Sequence, residues 1–436
     1  MSKAETTNSQ NQDLQDEKMN RITENKSIKS ANSENLASDK WEIPSDWEMI
    51  ELGKLVDEKR PVSYGIVQTG ELIEGGISCI RVTDIIDGKI NTSNLITTSK
   101  KISDGYKRTL LRKGDLVMAL RGKIGQIAKI ENELVGANLT RGVALIALKD
   151  IYYNDFILHQ ISSDRTTKIF ERNLNGSALQ ELSIGVVRKI PITLPKSLPE
   201  QIAIAQLLST WDNAITKTQA LIAQKEQRKK WLMQNLLTGQ MRLKGFDGEW
   251  KECHLEEMFI ERSETKYFDL PLLSVGSLGI YPQSDSVKKD TSNEDKSKYK
   301  RICVGDIGYN TMRMWQGRSA LSALEGIISP AYTVIAPKKN ADSKFFSYLF
   351  KTPKMTNLFW RNSQGLVDDT LNCKFKDFKI IKVLLPNKKE VQTAIAQVLQ
   401  AADKEIQLLK TKCDKLKEQK KGLMQMLLTG KKRLII

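Results

Sequence analysis

A chain of 436 residues with 40% hydrophobic residues is long enough for about three domains with apolar cores. Its 68 Lys and Arg residues outnumber 52 Asp and Glu residues, and the formal net charge of +16 favours a polyanionic partner such as nucleic acid. No apolar run approaches the roughly 18 residues of a spanning helix, the start lacks a secretory signal, and the five cysteines are scattered, so we expect a cytoplasmic protein without disulfides or a zinc knuckle.

The chain begins with a polar segment, residues 1–40, rich in Ser, Asn, Glu, Gln and Lys, and its composition predicts disorder. Residues 41–194 form a first globular region. Its β-rich runs, such as "ISCIRVTDI" and "GVALIAL", and its helix-like stretch "NDFILHQISSDRTTKIF" predict an α+β domain.

Several loops of this region combine Arg or Lys with Gly, amides and hydroxyls. "ALRGKIGQ" (119–126) is typical of a strand, a turn and a strand, with Arg121 and Lys123 projecting from the tip. Arg pairs with guanine edges and Asn or Gln with adenine, although turns are also rich in Gly and Asn for conformational reasons. The DNA contacts predicted here are Tyr64, Gln68, Arg81, Arg121, Lys123, Asn138, Arg141, Ser177 and Gln180.

A long helix is predicted next, within residues 195–243. "SLPE" (197–200) has the pattern of a helix start, and "LLTG" ends at Gly239, which favours the left-handed conformation that terminates a helix. The roughly 37 residues between them would span about 55 Å.

The second globular region, residues 244–385, has the same α+β character, with "AYTVIAP" and "DSKFFSYLFKTPKMTNLFW" as its clearest runs. Its "RMWQGRS" loop resembles the basic loops of the first region. The DNA contacts predicted here are Arg313, Trp315, Gln316, Arg318, Tyr332 and Gln364.

The C-terminal region, residues 386–436, repeats the first long helix. "KKGLMQMLLTG" from Lys420 matches nine of eleven letters of "KKWLMQNLLTG" from Lys229, a shift of 191 residues, and about twenty of forty-nine positions agree without a gap. The apolar spacing of three and four residues, interrupted by Lys420, is typical of a coiled coil; its positions are Ile406, Leu409, Cys413, Leu416, Leu423 and Leu427.

Two such helices are predicted to pack as an antiparallel coiled coil that separates the globular regions about an approximate two-fold axis; two isolated amphipathic helices are the alternative. The repeated patch predicts equivalent docking surfaces for two copies of one partner, unless its residues fill the seam between the helices. It consists of Leu232, Met233, Leu236 and Leu237 with Leu423, Met424, Leu427 and Leu428.

The sequence contains no recognisable catalytic or cofactor-binding motif. His159 and His254 stand alone, no phosphate-binding GxxxxGK[ST] occurs, and no GxGxxG opens a helix. "SPAY" (329–332) is similar to the [NDS]-P-P-[YF] loop of adenine methyltransferases, but Ala331 replaces the second proline. We therefore predict no catalytic residues, no metal ligands and no bound cofactor.

Two base-reading regions held apart by helices of about 55 Å would touch a duplex more than one helical turn apart, which predicts a split DNA site. Two other classes stay open: a scaffold that binds nucleic acid through bulk charge, and a self-sufficient methyltransferase, which would bind S-adenosylmethionine.

The chain resembles the specificity subunit of type I restriction-modification systems over about residues 41–434. The resemblance is carried by "LPKSLPEQIAIAQLLSTWDNAI", "KKWLMQNLLTGQMRL", "GEWKECHLEEMF", "LLPNKKEVQTAIAQVL" and "KKGLMQMLLTGKKRL". It departs at "EVQTAIAQ", which replaces "EQIAIAQ", and it gives no role to residues 1–40.

The resemblance implies that each globular region is a target-recognition domain for half of a bipartite site in double-stranded DNA. It also implies that the helices dock two adenine methyltransferase subunits, which motor-nuclease subunits join. S-adenosylmethionine, ATP and magnesium would then belong to those partners.

Overall fold

The computed structural model describes residues 43–174, 180–246, 248–276, 279–286, 292–365 and 370–435. The predicted disordered segment 1–40 lies outside these residues. The described chain forms two compact units: a first unit from Asp39–Gln219 and Thr411–Ile436, and a second unit from Ala220–Lys410.

The first unit alternates short strands and helices. Its elements in chain order are β1 (Trp47–Glu51), α1 (Leu52–Leu55), β2 (Ser63–Tyr64), β3 (Ile77–Ile80), β4 (Ile85–Ile86), β5 (Lys89–Ile90), β6 (Ile96–Thr98), α2 (Lys100–Asp104), β7 (Leu116–Ala119), β8 (Ile127–Lys129), β9 (Asn138–Leu139), β10 (Val143–Ile146), α3 (Asn154–Ile161), α4 (Asp164–Arg172), α5 (Ile184–Arg188) and β11 (Pro191–Pro195), followed by the long helix α6 (Leu198–Leu236).

A four-stranded antiparallel sheet in the order β2-β10-β7-β8 forms the centre of this unit. Strands β7 and β10 are buried at every position, so they carry continuous apolar runs instead of alternating ones. Smaller sheets pair β1 with β11, β6 and β9 with β3, and β4 with β5.

The second unit repeats this plan. Its elements are β12 (Trp250–His254), α7 (Leu255–Met258), β13 (Phe259–Glu261), β14 (Leu273–Gly276), β15 (Gly279–Pro282), β16 (Lys300–Ile302), β17 (Ile307–Asn310), β18 (Ser319–Leu321), β19 (Gly326–Ile328), β20 (Tyr332–Pro337), α8 (Ser343–Leu349), α9 (Pro353–Asn362), α10 (Phe375–Lys379), β21 (Lys382–Pro386) and the second long helix α11 (Lys389–Leu427).

Its central sheet has the order β13-β20-β17-β18, which matches the first unit strand for strand, and β12 pairs with β21 as β1 pairs with β11. The three strand pairs of this sheet, β13–β20, β17–β18 and β17–β20, are antiparallel. The predicted α+β class and the duplication of the globular regions are confirmed.

An ion pair with a buried aspartate recurs at the start of the central strand in both units. The Arg60 guanidinium lies 2.6 Å from Asp115, which precedes β7, and both side chains are less than 10% exposed. In the second unit, Arg262 lies 2.7 Å from Asp306, which precedes β17. An unpaired buried charge would be costly. Each pair therefore fixes the start of the central strand to the earlier segment that carries the arginine.

The two long helices have 39 residues each, about 58 Å at the usual rise per residue. Both end as predicted, because Gly239 and Gly430 have φ angles of 74° and 72°, the left-handed conformation that glycine adopts readily. Each helix contributes residues to both compact units.

Within each unit, segments of the two helices pack side by side with cations in the seam. In the second unit Lys225 lies 2.5 Å from Glu405, and Lys229, one turn later, lies 2.5 Å from Asp403, a residue earlier in α11. This inverse order makes the packing antiparallel. In the first unit Lys420 lies 2.6 Å from Asp212. The lysines that interrupt the apolar pattern are therefore neutralised by acids of the facing helix.

The first unit is closed by the C-terminal tail. Arg433 binds Asp46 and Glu200 at 2.6 and 2.5 Å and lies over the ring of Trp47, and it lowers the pKa of Asp46. The arginine–tryptophan contact recurs in the second unit, where Arg242 lies 5.1 Å from the ring centre of Trp250 and donates to the Gly248 carbonyl at 2.9 Å.

Candidate nucleic-acid interface

The predicted strand, turn and strand around Arg121 is the β7–β8 hairpin. Gly122 and Gly125 have φ angles of 70° and 81°, which the tight turn requires. A Cβ at Gly125 would lie 2.6 Å from the ring of Phe170, so the hairpin also packs closely on α4. Lys123 at the tip is exposed.

Three further loops converge near this hairpin. The Arg121 backbone pairs with Glu181. The Arg121 side chain crosses Gly142, where a Cβ would lie 2.6 Å from its Nε. The Arg141 amide donates to the Ile66 carbonyl at 2.8 Å, which brings in the segment of Tyr64 and Gln68. The exposed predicted contacts of this unit are Tyr64, Gln68, Lys123, Arg141 and Gln180, with Arg121 half-buried.

Two predicted contacts have internal roles instead. Asn138 is fully buried, and its side chain accepts from Thr109 at 2.7 Å and donates to Ser103 at 3.1 Å, so it stabilises the core and has no surface for DNA. Arg81 donates through Nε and Nη2 to Asp84 and also binds the Asn94 carbonyl, which makes it a loop-bracing residue. Ser177 lies outside the described residues.

In the second unit, the "RMWQGRS" loop joins β17 to β18. Gly317 has a φ of 74° and ends a short 3₁₀ turn, Met314–Gln316. Arg313, Gln316 and Arg318 are exposed, whereas Trp315 is half-buried and donates through Nε1 to the Met312 carbonyl at 3.0 Å.

The structure brings this loop beside the other two predicted segments. Asn310 pairs with Tyr332 across the β17–β20 ladder. The Cys373 amide donates to the Thr311 carbonyl at 2.8 Å, and its neighbour Asn372 forms a bridge with Gln364. All six predicted residues of this unit therefore lie on neighbouring segments, and Gln364 is exposed.

The "SPAY" segment does not form a base-gripping site. The Tyr332 hydroxyl donates to the Val275 carbonyl at 3.4 Å, and burial raises the pKa of this phenol. In the part of the chain that the structure describes, no group of three or more His, Cys, Asp or Glu side chains is placed to hold a metal ion. Among the same residues no helix is long and apolar enough to cross a membrane.

The eight residues of the repeated docking patch differ in how deeply they are buried. The four leucines of the "LLTG" motifs are at most 2% exposed and belong to the cores of the units, so in this structure they have no surface for a partner; they are Leu236, Leu237, Leu427 and Leu428. Leu232, Met233, Leu423 and Met424 are half-buried and pack against the same cores.

Two helix positions that are exposed in both copies of this motif carry the same polar residue in each: Lys230 and Gln234 in α6, and Lys421 and Gln425 in α11. A third exposed position carries Trp231 in one copy and Gly422 in the other. The sequence indicates this face, because the lysine and the glutamine are identical in the two copies of the motif, as the leucines are.

Comparison with known proteins agrees with this architecture. The family model for the type I restriction modification DNA specificity domain matches residues 44–226 and 248–418, one match for each copy. The chain belongs to this family of DNA specificity proteins, and it is a specificity subunit without a catalytic role of its own.

Curated relatives are specificity subunits of type I restriction enzymes. The Escherichia coli EcoBI subunit is 41% identical over 105 residues, 24% of this chain and 22% of that protein. The Methanocaldococcus jannaschii MjaVIII subunit is 28% identical over 47% of this chain and 49% of its own length. The putative MjaX subunit of the same organism is 27% identical over 90% of this chain and 95% of its own length.

Two solved structures share the fold. A chain from a study of complex assembly and conformational transition of the type I R-M system aligns with a TM-score of 0.59 at 17% identity, covering 89% of this chain and 99% of that one. The type I restriction-modification S subunit from M. genitalium aligns with a TM-score of 0.53 at 15% identity, covering 90% and 98%.

Proposed function

We propose that this protein reads a bipartite site in double-stranded DNA, one half with each unit, and docks two adenine methyltransferase subunits, to which motor-nuclease subunits attach. The observation that carries the proposal is the duplicated hairpin, which lies at the same place in two matching sheets. The β7–β8 hairpin has exposed Lys123 and half-buried Arg121, and the β17–β18 hairpin has exposed Arg313 and Arg318. The residues around the two hairpins differ, which suits two different half-sites.

The methylome tests this proposal. In a host that carries the protein and its partners, deleting the gene should remove one bipartite motif from the methylated adenines. Replacing residues 41–194 by the first globular region of a relative should change one half of that motif and preserve the other. An unchanged methylome after deletion, or a change in both halves after replacement, would contradict the proposal.

A scaffold that binds nucleic acid through bulk charge is the second candidate, and the net charge of +16 favours it. Such a protein would show a steep dependence of affinity on salt, with no preference between a target duplex and a scrambled one, because phosphate contacts carry no base information. Competition between these two duplexes at constant salt distinguishes the candidates.

The docking proposal rests on the exposed polar face, Lys230 with Gln234 and Lys421 with Gln425. Gln234→Trp and Gln425→Trp should each release one methyltransferase subunit, since a bulky ring blocks the surface without entering a core. The double variant should release both, as measured by the mass of the assembled complex. Thr216→Trp, at an exposed position of α6 outside the repeated motif, serves as the control.

A further inference from the structure

A cavity of about 360 Å³ lies in the second unit, at the edge where the predicted reading segments meet. Its lining combines lysines, threonines and an aromatic ring: Glu261, Lys300, Thr311, Pro330, Ala331, Thr333, Lys374, Phe375 and Lys376. None of the three lysines was among the DNA contacts predicted from the sequence.

The charges around the cavity do not cancel. Lys300 lies 3.7 Å from Glu261 and donates to the Tyr332 carbonyl at 2.9 Å, so its ammonium group is already satisfied. Lys374 and Lys376 are exposed, and within the described residues neither ammonium group has a carboxylate partner. Two positive charges therefore face the cavity without compensation.

The walls are the same segments that carry the predicted base contacts. Thr311 begins the loop that holds Arg313, and Pro330 and Ala331 lead directly into Tyr332. Thr311 donates to the Ala331 carbonyl at 3.4 Å, which joins these two walls. A duplex read by the loop would bring its backbone to this edge of the unit.

We propose that this cavity binds a backbone phosphate of the DNA, with Lys374 and Lys376 supplying the charge. The inference rests on the proposed function and deepens it. Lysine acts on phosphate as a flexible point charge and fixes the position of a protein on the duplex, whereas base discrimination depends on fixed donor and acceptor patterns. The two lysines are therefore positioning residues.

Among the described residues of the first unit, the positions equivalent to the two lysines carry no charge. Helix α5 begins 191 residues before α10, and the positions equivalent to Lys374, Phe375 and Lys376 are Ser183, Ile184 and Gly185. The two units thus differ in how they hold the DNA backbone, and the second unit has the additional electrostatic anchor.

The test uses the full-length chain and two duplexes, one with its methylation motif and one scrambled. In Lys374→Gln/Lys376→Gln, the slope of log affinity against log salt concentration should become less steep by about 0.9, since the cavity holds one phosphate and each neutralised phosphate contributes about that much. Affinity should fall by the same factor on both duplexes, and the methylated motif should be unchanged.

The matched control is Lys344→Gln/Lys354→Gln, which removes two exposed positive charges from α8 and α9 of the same unit. An equal change of slope in this control would assign the effect to bulk charge and overturn the proposal. An unchanged slope in the cavity variant, or an altered base preference, would also overturn it. Wild-type protein that fails to distinguish the two duplexes contradicts the proposed function instead, separately from the phosphate site.

Discussion

At the scale of single residues, the same residue types occur at exposed and at internal positions, and burial distinguishes them. Asn138 and Gln68 both belong to loops rich in amides, yet Asn138 is fully buried and Gln68 is exposed. Composition could not distinguish them, because the difference depends on a hydrogen bond between Asn138 and Thr109, 29 residues away. For Arg81 a local signal existed, since Asp84 lies three residues later in the pattern of a capped turn.

His159 and Tyr348 occupy corresponding places in α3 and α8, each near a seam ion pair of the long helices. Tyr348 donates to Asp403 at 2.6 Å, and Asp403 also binds Lys229. His159 is 3% exposed, and burial, with the nearby charge of Lys420, lowers its pKa to about 4, against the opposing charges of Asp212 and Asp155. The first unit therefore has an imidazole with a lowered pKa at the place where the second unit has a phenol.

The lowered pKa predicts a stability that depends on pH. The unfolded state binds a proton near pH 6.5 and the folded state only near pH 4. As the pH falls through this window, the free energy of unfolding should decrease by about 1.4 kcal/mol per unit from this group, and the full contribution is present above pH 6.5.

Urea unfolding of wild-type protein and His159→Phe at several pH values measures this contribution. In His159→Phe, the free energy of unfolding should lack this part of its pH dependence between pH 6.5 and 4. Tyr348→Phe is the control in the second unit and should leave the slope unchanged. A wild-type slope equal to that of His159→Phe would show that the histidine does not titrate on unfolding.

At the scale of elements, the long helices were the most predictable part of the chain. Capping letters, a terminal glycine and a sustained apolar spacing predicted both, and the structure gives 39 residues where about 37 were predicted. In the sequence, the lysines of the seam interrupt the apolar spacing that is typical of a coiled coil. Their acidic partners could not be identified, because the pairing depends on the register between helices about two hundred residues apart.

The ion pairs predict a double-mutant cycle in the seam of the first unit. Asp212→Ala removes the partner of Lys420, which is 16% exposed, and should lower the free energy of unfolding by about 1–2 kcal/mol, a modest value because Asp212 is 45% exposed.

Asp212→Ala/Lys420→Leu should regain most of this loss, since a leucine continues the apolar seam and leaves no unpaired cation. Lys415→Leu, at an exposed position of the same helix, is the control for added apolar surface. Chemical denaturation of wild-type protein, Asp212→Ala, Lys420→Leu and Asp212→Ala/Lys420→Leu measures the coupling. A double variant no more stable than Asp212→Ala would mean that the lysine is fully hydrated in the folded protein.

At the scale of the whole molecule, the 191-residue repeat predicted the two similar units, but it did not predict which residues complete each one. In the first copy, the "LLTG" ending runs directly into the strand that begins at Trp250. The strand that completes the second copy is β1, from a distant part of the sequence. In the structure, Trp47 near the start of the chain takes the corresponding place beside Gly430. Local patterns cannot show a contact that joins the two ends of a chain.

This arrangement predicts that the C-terminal segment is part of the fold of the first unit. Leu427 and Leu428 lie in its core, Gln160 donates to the Leu428 carbonyl at 2.7 Å, and Arg433 neutralises Glu200, which is 4% exposed. Deleting Thr411–Ile436 removes all of these contacts together, so residues 43–219 should lose most of their protection against amide hydrogen exchange.

The second unit is the internal reference in that experiment, because Ala220–Lys410 contains its own segments of both helices and its own Arg242–Trp250 contact. Its central strands, β17 and β20, should keep their protection in the deletion variant. Removing residues 1–40 provides a second control, expected to change neither unit. Equal loss of protection in both units would show that they fold as one cooperative whole, and retained protection of β7 and β10 would show that the C-terminal segment is dispensable for the first unit.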